Sequence, residues 1–184
     1  MKQNRASIPV RDMLYTALFT AILCVVAPFS ISVGPIPLSF ATLVIYIAAG
    51  SLNWKLSALS VMLYIALGAI GVPVFSNFEG GFYKIAGLTG GFIIGYIPLA
   101  LATGFSMELA GGKLFFFISG MVIGTVLLYT LGTAWFMLQS GATLTVALMG
   151  CVVPFLIGDA IKIAAACAIV PQLRRAIAHY QRGN

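Results

Sequence analysis

The chain has 184 residues, of which 61% are hydrophobic and 8% charged, whereas soluble domains carry about 25% charged residues. So little charge cannot cover a water-soluble fold of this size, so the sequence is read as an integral membrane protein with no extramembrane domain of consequence. The formal net charge of +6 is then a signal of membrane topology and does not point to nucleic acid.

Six apolar segments follow one another, each near the roughly 20 residues of a spanning helix. The first, Asp12 to Phe29, carries Ala17-x-x-x-Ala21 with Thr16 and Thr20 on a neighbouring stripe, a spacing that lets helix backbones approach closely. Its basic start resembles a secretory signal, but no small-residue cleavage site closes it, so a retained helix is expected. Gly34-Pro35-Ile36-Pro37 breaks the chain before the second segment, Leu38 to Leu52, and Asn53-Trp54-Lys55 separates that from the third, Leu56 to Gly71. Both are short enough for tilt or partial insertion. The next connection, Val72 to Lys84, mixes aromatic residues with Asn77, Glu79, Lys84 and the pair Gly80-Gly81. It reads either as interfacial structure or as a lid over a ligand.

The fourth segment, Ile85 to Met107, contains Gly91-x-x-x-Gly95, and the fifth, Leu114 to Gln139, contains Gly120-x-x-x-Gly124. Both are expected to be internal packing seams. The sixth runs from Thr145 to Val170 and holds Asp159 and Lys162 inside an apolar stretch, Ala142 to Pro171, that is otherwise uncharged. Ionised groups there cost about 2.5 to 3.5 kcal/mol each on insertion scales, so they mark a functional site by default. At spacing i, i+3 they share one helix face. A structural ion pair is the bland alternative. The functional reading expects a polar guest to complete the pair's hydrogen bonding. Strands of a barrel would alternate over about ten residues, and these continuous runs do not, so helices are expected.

An even number of spans puts both termini on one side with Lys2, Arg5, Arg11, Lys55, Lys113, Arg174, Arg175 and Arg182, leaving Lys84 alone opposite. Basic residues near span ends stay cytoplasmic. The expectation is therefore an all-α bundle of six transmembrane helices, a single domain over residues 1–184, with cytoplasmic N- and C-termini. Cys24, Cys151 and Cys167 have no C-x-x-C spacing and read as packing residues, and His179 as a solvated tail residue. No G-x-x-x-x-G-K-[ST], G-x-S-x-G or H-E-x-x-H occurs, and titratable groups are too scarce for an enzyme to be the favoured reading.

Gly34-Pro35-Ile36-Pro37-Leu38, Leu67-Gly68-Ala69-Ile70-Gly71-Val72-Pro73-Val74-Phe75, Thr89-Gly90-Gly91-Phe92-Ile93-Ile94-Gly95, Leu131-Gly132-Thr133-Ala134-Trp135 and Pro154-Phe155-Leu156-Ile157-Gly158-Asp159-Ala160-Ile161-Lys162 resemble the BioY family. These are the biotin-specific S components, or substrate-binding subunits, of energy-coupling-factor (ECF) vitamin transporters. Leu88 departs from the proline common before Thr-Gly-Gly, and Ala41 from a glutamine common after the Pro-x-Pro turn. The resemblance implies a multi-pass protein of the bacterial plasma membrane that binds biotin from the outer side and uses no cofactor. It also implies docking through Ala17 and Ala21 onto a transmembrane coupling subunit attached to two ATPase subunits, which fits the missing nucleotide motif.

Biotin chemistry suits the intramembrane pair. Lys162 can donate to the ureido carbonyl and Asp159 accept from a ureido N–H. Asn77, Tyr83 and Lys84 are the candidates for the tail carboxylate, and Gly34 and Gly91 allow close backbone approach to ligand or helix. Trp135 fluorescence reports occupancy if it lies near the site. The rival readings are a self-sufficient carrier or channel using Asp159 and Lys162 as an ion site, an S component for another vitamin, and, more weakly, a membrane enzyme.

Overall fold

The computed structural model describes residues 9–32, 34–109 and 111–182. Eight α-helices and one small hairpin are present among them: α1 (Val10–Val26), β1 (Ser30–Ser32), β2 (Pro37–Ser39), α2 (Ala41–Ser51), α3 (Trp54–Ala69), α4 (Phe82–Ala86), α5 (Gly90–Leu109), α6 (Leu114–Ser140), α7 (Leu144–Cys151) and α8 (Phe155–Arg182), with one 3-10 turn at Ser76–Phe78. Three of these helical stretches, α5, α6 and Phe155–Ile177 of α8, are long and apolar enough to cross a membrane, and α2 and α3 are shorter apolar helices.

Two features differ from the sequence reading. The all-α expectation missed the antiparallel pairing of β1 with β2, which joins Ser30 to Ser39 and Ser32 to Pro37. The sixth segment, expected as one helix from Thr145 to Val170, is two: α7 ends at Cys151 and α8 begins at Phe155. Pro154 explains the break, because its ring disfavours helical backbone at Val153 and its missing N–H is harmless just ahead of a new helix. Asp159 therefore lies in the second turn of a helix and not in the middle of a long one.

Close packing of α5 against α6 forms the spine. Small residues let the two backbones approach where lipid offers no hydrophobic drive. A Cβ at Gly91 would come within 2.8 Å of the Leu131 carbonyl oxygen, one at Gly95 within 2.8 Å of Leu128, one at Gly120 within 3.1 Å of the Ala102 carbonyl and one at Gly124 within 3.0 Å of the Leu99 carbonyl. Both glycine pairs thus face the partner helix. On the other side α1 packs on α3, where the Thr20 hydroxyl donates to the Thr16 carbonyl at 2.9 Å and the Ser60 carbonyl at 3.2 Å. Thr16 and Thr20 are buried, while Ala17 and Ala21 on the same helix are exposed.

Helix ends are set by local chemistry. Asn53 caps α3 by accepting from the Leu56 N–H at 2.9 Å. Gly141 closes α6 in the left-handed conformation, φ 69°, that favours glycine. Arg11 at the start of α1, Asn53 between α2 and α3, and Ile177 late in α8 border one surface recess, and Arg174 lies against Gly112 in the α5–α6 turn. The basic residues Arg11, Lys55 and Arg174 accordingly gather at one end of the bundle, while Lys84 belongs to the loops at the other. Lys2 and Arg5 lie outside the described residues, as do the side chains of His179 and Arg182.

Candidate functional site

The start of α2, the start of α5, the second half of α6 and the start of α8 converge at the bundle end that carries the hairpin. There they border a small open cavity lined by Thr42, Phe92, Tyr96, Tyr129, Asp159 and Lys162. Asp159 and Lys162 are buried, at 4% and 6% exposure. Their spacing puts both on one face of α8, and Lys162 Nζ donates to Asp159 Oδ1 at 3.0 Å.

Protein groups complete the rest of the pair's bonding. Lys162 Nζ also donates to the Ser39 carbonyl oxygen at 2.7 Å and to Thr42 Oγ1 at 3.0 Å, which uses all three ammonium protons. Asp159 Oδ2 accepts from the Tyr129 hydroxyl, and Oδ1 lies 3.4 Å from the Thr42 hydroxyl. The expectation that a guest must finish these bonds is therefore corrected: the hairpin, α2 and α6 already do so, and the guest space lies alongside. Buried charges need this degree of satisfaction, since an unpaired one carries its full desolvation penalty.

Each partner is placed by local structure. The Ser39 hydroxyl donates to the Ala27 carbonyl at 2.8 Å and accepts from the Ala41 N–H at 3.0 Å, tying the end of β2 to the end of α1 and the start of α2. This tie fixes the strand end whose carbonyl receives Lys162. One turn along α2 from Thr42, Tyr46 exchanges a 2.6 Å hydrogen bond with Thr125, anchoring α2 to α6 above the site.

A second small open cavity adjoins the first through Ile36, Pro37, Phe92 and Tyr96. It extends toward the loops, where Lys84, Thr89 and Ser76 border it. The other expected site residues sit apart from both cavities. Asn77 is exposed, its Oδ1 accepting from the Ser30 hydroxyl at 2.8 Å. Tyr83 is exposed, its hydroxyl 3.3 Å from Glu79 Oε2. Gly34 turns the hairpin at φ 88°, facing the Gly150 carbonyl, and Gly91 faces Trp135 and the Leu131 carbonyl in the α5–α6 seam. Trp135 donates through Nε1 to the Gly87 carbonyl at 2.9 Å and does not border either cavity.

Sequence reasoning missed Thr42, Tyr129, Tyr96 and the Ser39 carbonyl. Tyr129 had a usable signal, a polar group deep within an apolar helix. The Ser39 carbonyl had none, because every residue owns one. No group of three or more His, Cys, Asp or Glu side chains able to hold a metal occurs among the described residues.

The architecture and sequence have clear relatives. Residues 1–179 match the family model described as the BioY family. A protein of Pyrococcus horikoshii named "Probable biotin transporter BioY" is 35% identical over 89% of this chain and 96% of its own length. A Thermotoga maritima protein named "Biotin transporter BioY" is 34% identical over 90% of this chain and 97% of its own. A solved structure described as the S-component for biotin from an ECF-type ABC transporter superposes with a TM-score of 0.82 at 27% identity, covering 95% of each chain. With a family match across nearly its whole length, the chain belongs to the BioY family.

Proposed function

We propose that this chain is a high-affinity biotin-binding membrane subunit that mediates biotin uptake and changes no bond in its substrate. One observation carries the reading: a buried, fully bonded Asp159–Lys162 pair faces an open cavity at one end of a helical membrane bundle. A fused-ring urea presents a carbonyl acceptor flanked by N–H donors. Its carbonyl replaces Thr42 or the Ser39 carbonyl on Lys162, and an N–H replaces the Tyr129 hydroxyl on Asp159. Each exchange trades one protein hydrogen bond for one ligand hydrogen bond, so no buried charge is left bare along the way. Phe92, Tyr96 and Phe155 supply apolar walls for the sulfur ring and tail. The tail then points into the adjoining cavity, where Lys84 meets its carboxylate. Asn77, on the loop before α4, and Tyr83, on α4, join only if this segment closes over the ligand.

The finer topology follows from charge. Six spans, with the split α7–α8 region acting as the last, place both termini and the Arg11, Lys55 and Arg174 end in the cytoplasm of a bacterial cell and the cavity outside. Transport is energised by partners: the exposed Ala17 and Ala21 of α1 offer a close-packing stripe to a transmembrane coupling subunit, which carries two ATPase subunits.

Titration of the purified protein with biotin, thiamine and riboflavin tests the reading. Biotin alone is expected to bind, and Asp159→Asn and Lys162→Met each to lose about 1.5–3 kcal/mol of affinity while staying folded. Absence of biotin binding by the wild type overturns the proposal. Uptake against a gradient by the chain alone in vesicles, without nucleotide or an ion gradient, replaces it with the self-sufficient carrier.

A further inference from the structure

Lys84 borders the outer cavity, yet its ammonium is already engaged by the Glu79 carboxylate in an ion pair. Glu79 itself is held in place from several directions. Its backbone pairs with Phe75, the Phe75 N–H donating to the Glu79 carbonyl at 2.8 Å, and its Oε2 accepts from Tyr83. The next residue, Gly80, lies so close to the Val72 carbonyl that a side chain would collide with it. The loop between is bent through left-handed backbone at Asn77 (φ 64°) and Phe78 (φ 58°), a conformation that bulky residues adopt only at an energetic cost. The fold therefore spends backbone strain on a turn that delivers a carboxylate to the one lysine at the mouth of the site.

We infer that Glu79 is an intramolecular stand-in for the ligand's carboxylate, occupying Lys84 until an anionic tail displaces it and so limiting the preference for charged over neutral tails that Lys84 provides. The inference rests on the proposed function and deepens it. An incoming carboxylate gains Lys84 only by breaking the Glu79–Lys84 pair, whereas an uncharged ester or amide end has no charge with which to compete and leaves the pair closed. Glu79 thus lowers the net gain from the acid and leaves the ester unaffected. Once freed, Glu79 no longer clips the loop through Lys84, so tail binding is coupled to loop movement.

The test compares dissociation constants of biotin and biotin methyl ester, by calorimetry on purified full-length protein, for the wild type, Glu79→Gln, Lys84→Gln and the double variant. Glu79→Gln keeps the loop's size and shape, and its folding is checked by thermal unfolding. Biotin is expected to bind about two- to fivefold more tightly to Glu79→Gln, the scale of a partly exposed ion pair, with the ester unchanged. Lys84→Gln is expected to bring acid and ester to similar affinities and to cancel any effect of Glu79→Gln in the double variant. An acid-to-ester ratio in Glu79→Gln equal to the wild type, or a weakening of both ligands, overturns the inference while leaving biotin binding standing. A wild type that binds neither ligand overturns the proposed function and this inference together.

Discussion

Two lysine–carboxylate pairs occur among the described residues, and they differ in almost every physical respect. Asp159 and Lys162 lie on one helix, buried, each met by further groups from β2, α2 and α6. Glu79 lies on the loop before α4 and Lys84 on α4 itself, with side chains 36% and 24% exposed, and among the described residues Tyr83 is the further side chain that bonds to the pair. The first pair cannot be opened without leaving a charge in a poorly solvated space, so its geometry is fixed before the ligand arrives. The second can exchange with water at little cost. A rigid inner anchor and an exchangeable outer one suit a ligand with a ring that must be recognised and a tail that must be admitted and released.

The largest expected break in that comparison is Asp159→Ala. Stranding the Lys162 ammonium should destabilise the protein by about 3–5 kcal/mol, whereas Glu79→Ala should cost about 1 kcal/mol or less; thermal unfolding in the same detergent compares the two. Equal losses would remove the distinction between the pairs. Widening the seam beneath the site comes next. Gly124→Val places methyl groups against the Leu99 carbonyl and is expected to cost about 1–3 kcal/mol of stability by forcing α5 from α6, with ligand affinity falling as Phe92 and Tyr96 move away from Tyr129.

Smaller still is Tyr129→Phe. It removes one donor from Asp159 and leaves Lys162 and Thr42 in place, so apo stability should fall by about 1 kcal/mol. Biotin affinity should hold or rise, because the ureido N–H then meets an acceptor with a vacant position. A loss of affinity beyond about tenfold would mean that Tyr129 touches the ligand itself. The smallest effect is expected for Asn77→Ser, measured by biotin titration: the residue caps the hairpin through Ser30 away from both cavities, and affinity should change by less than about 0.5 kcal/mol.

The parts of this account that were legible in the sequence are those carried by composition. Continuous apolar runs marked α1, α3, α5 and α6, and two charges in an otherwise uncharged stretch marked Asp159 and Lys162. The glycine seam was also readable, because small residues four apart have one dominant use in lipid. The α7–α8 break was written in Pro154 but hidden by hydropathy, which does not register backbone geometry. The hairpin escaped because three-residue strands have no period to detect. Thr42, Tyr129 and the Ser39 carbonyl escaped for a different reason. They reach the pair from positions 30 to 123 residues away in sequence, and only folding makes them neighbours. Their consequence was misjudged as well: the pair looked incomplete in one dimension and is complete in three.

The central claim is that a preformed and satisfied Asp159–Lys162 pair recognises the ring of the ligand. The most direct measurement is calorimetric titration of biotin into Lys162→Met, with folding verified by its unfolding midpoint. The account predicts a loss of affinity of about ten- to a hundredfold, the worth of a charge-assisted hydrogen bond. A folded variant that binds biotin as tightly as the wild type would contradict it.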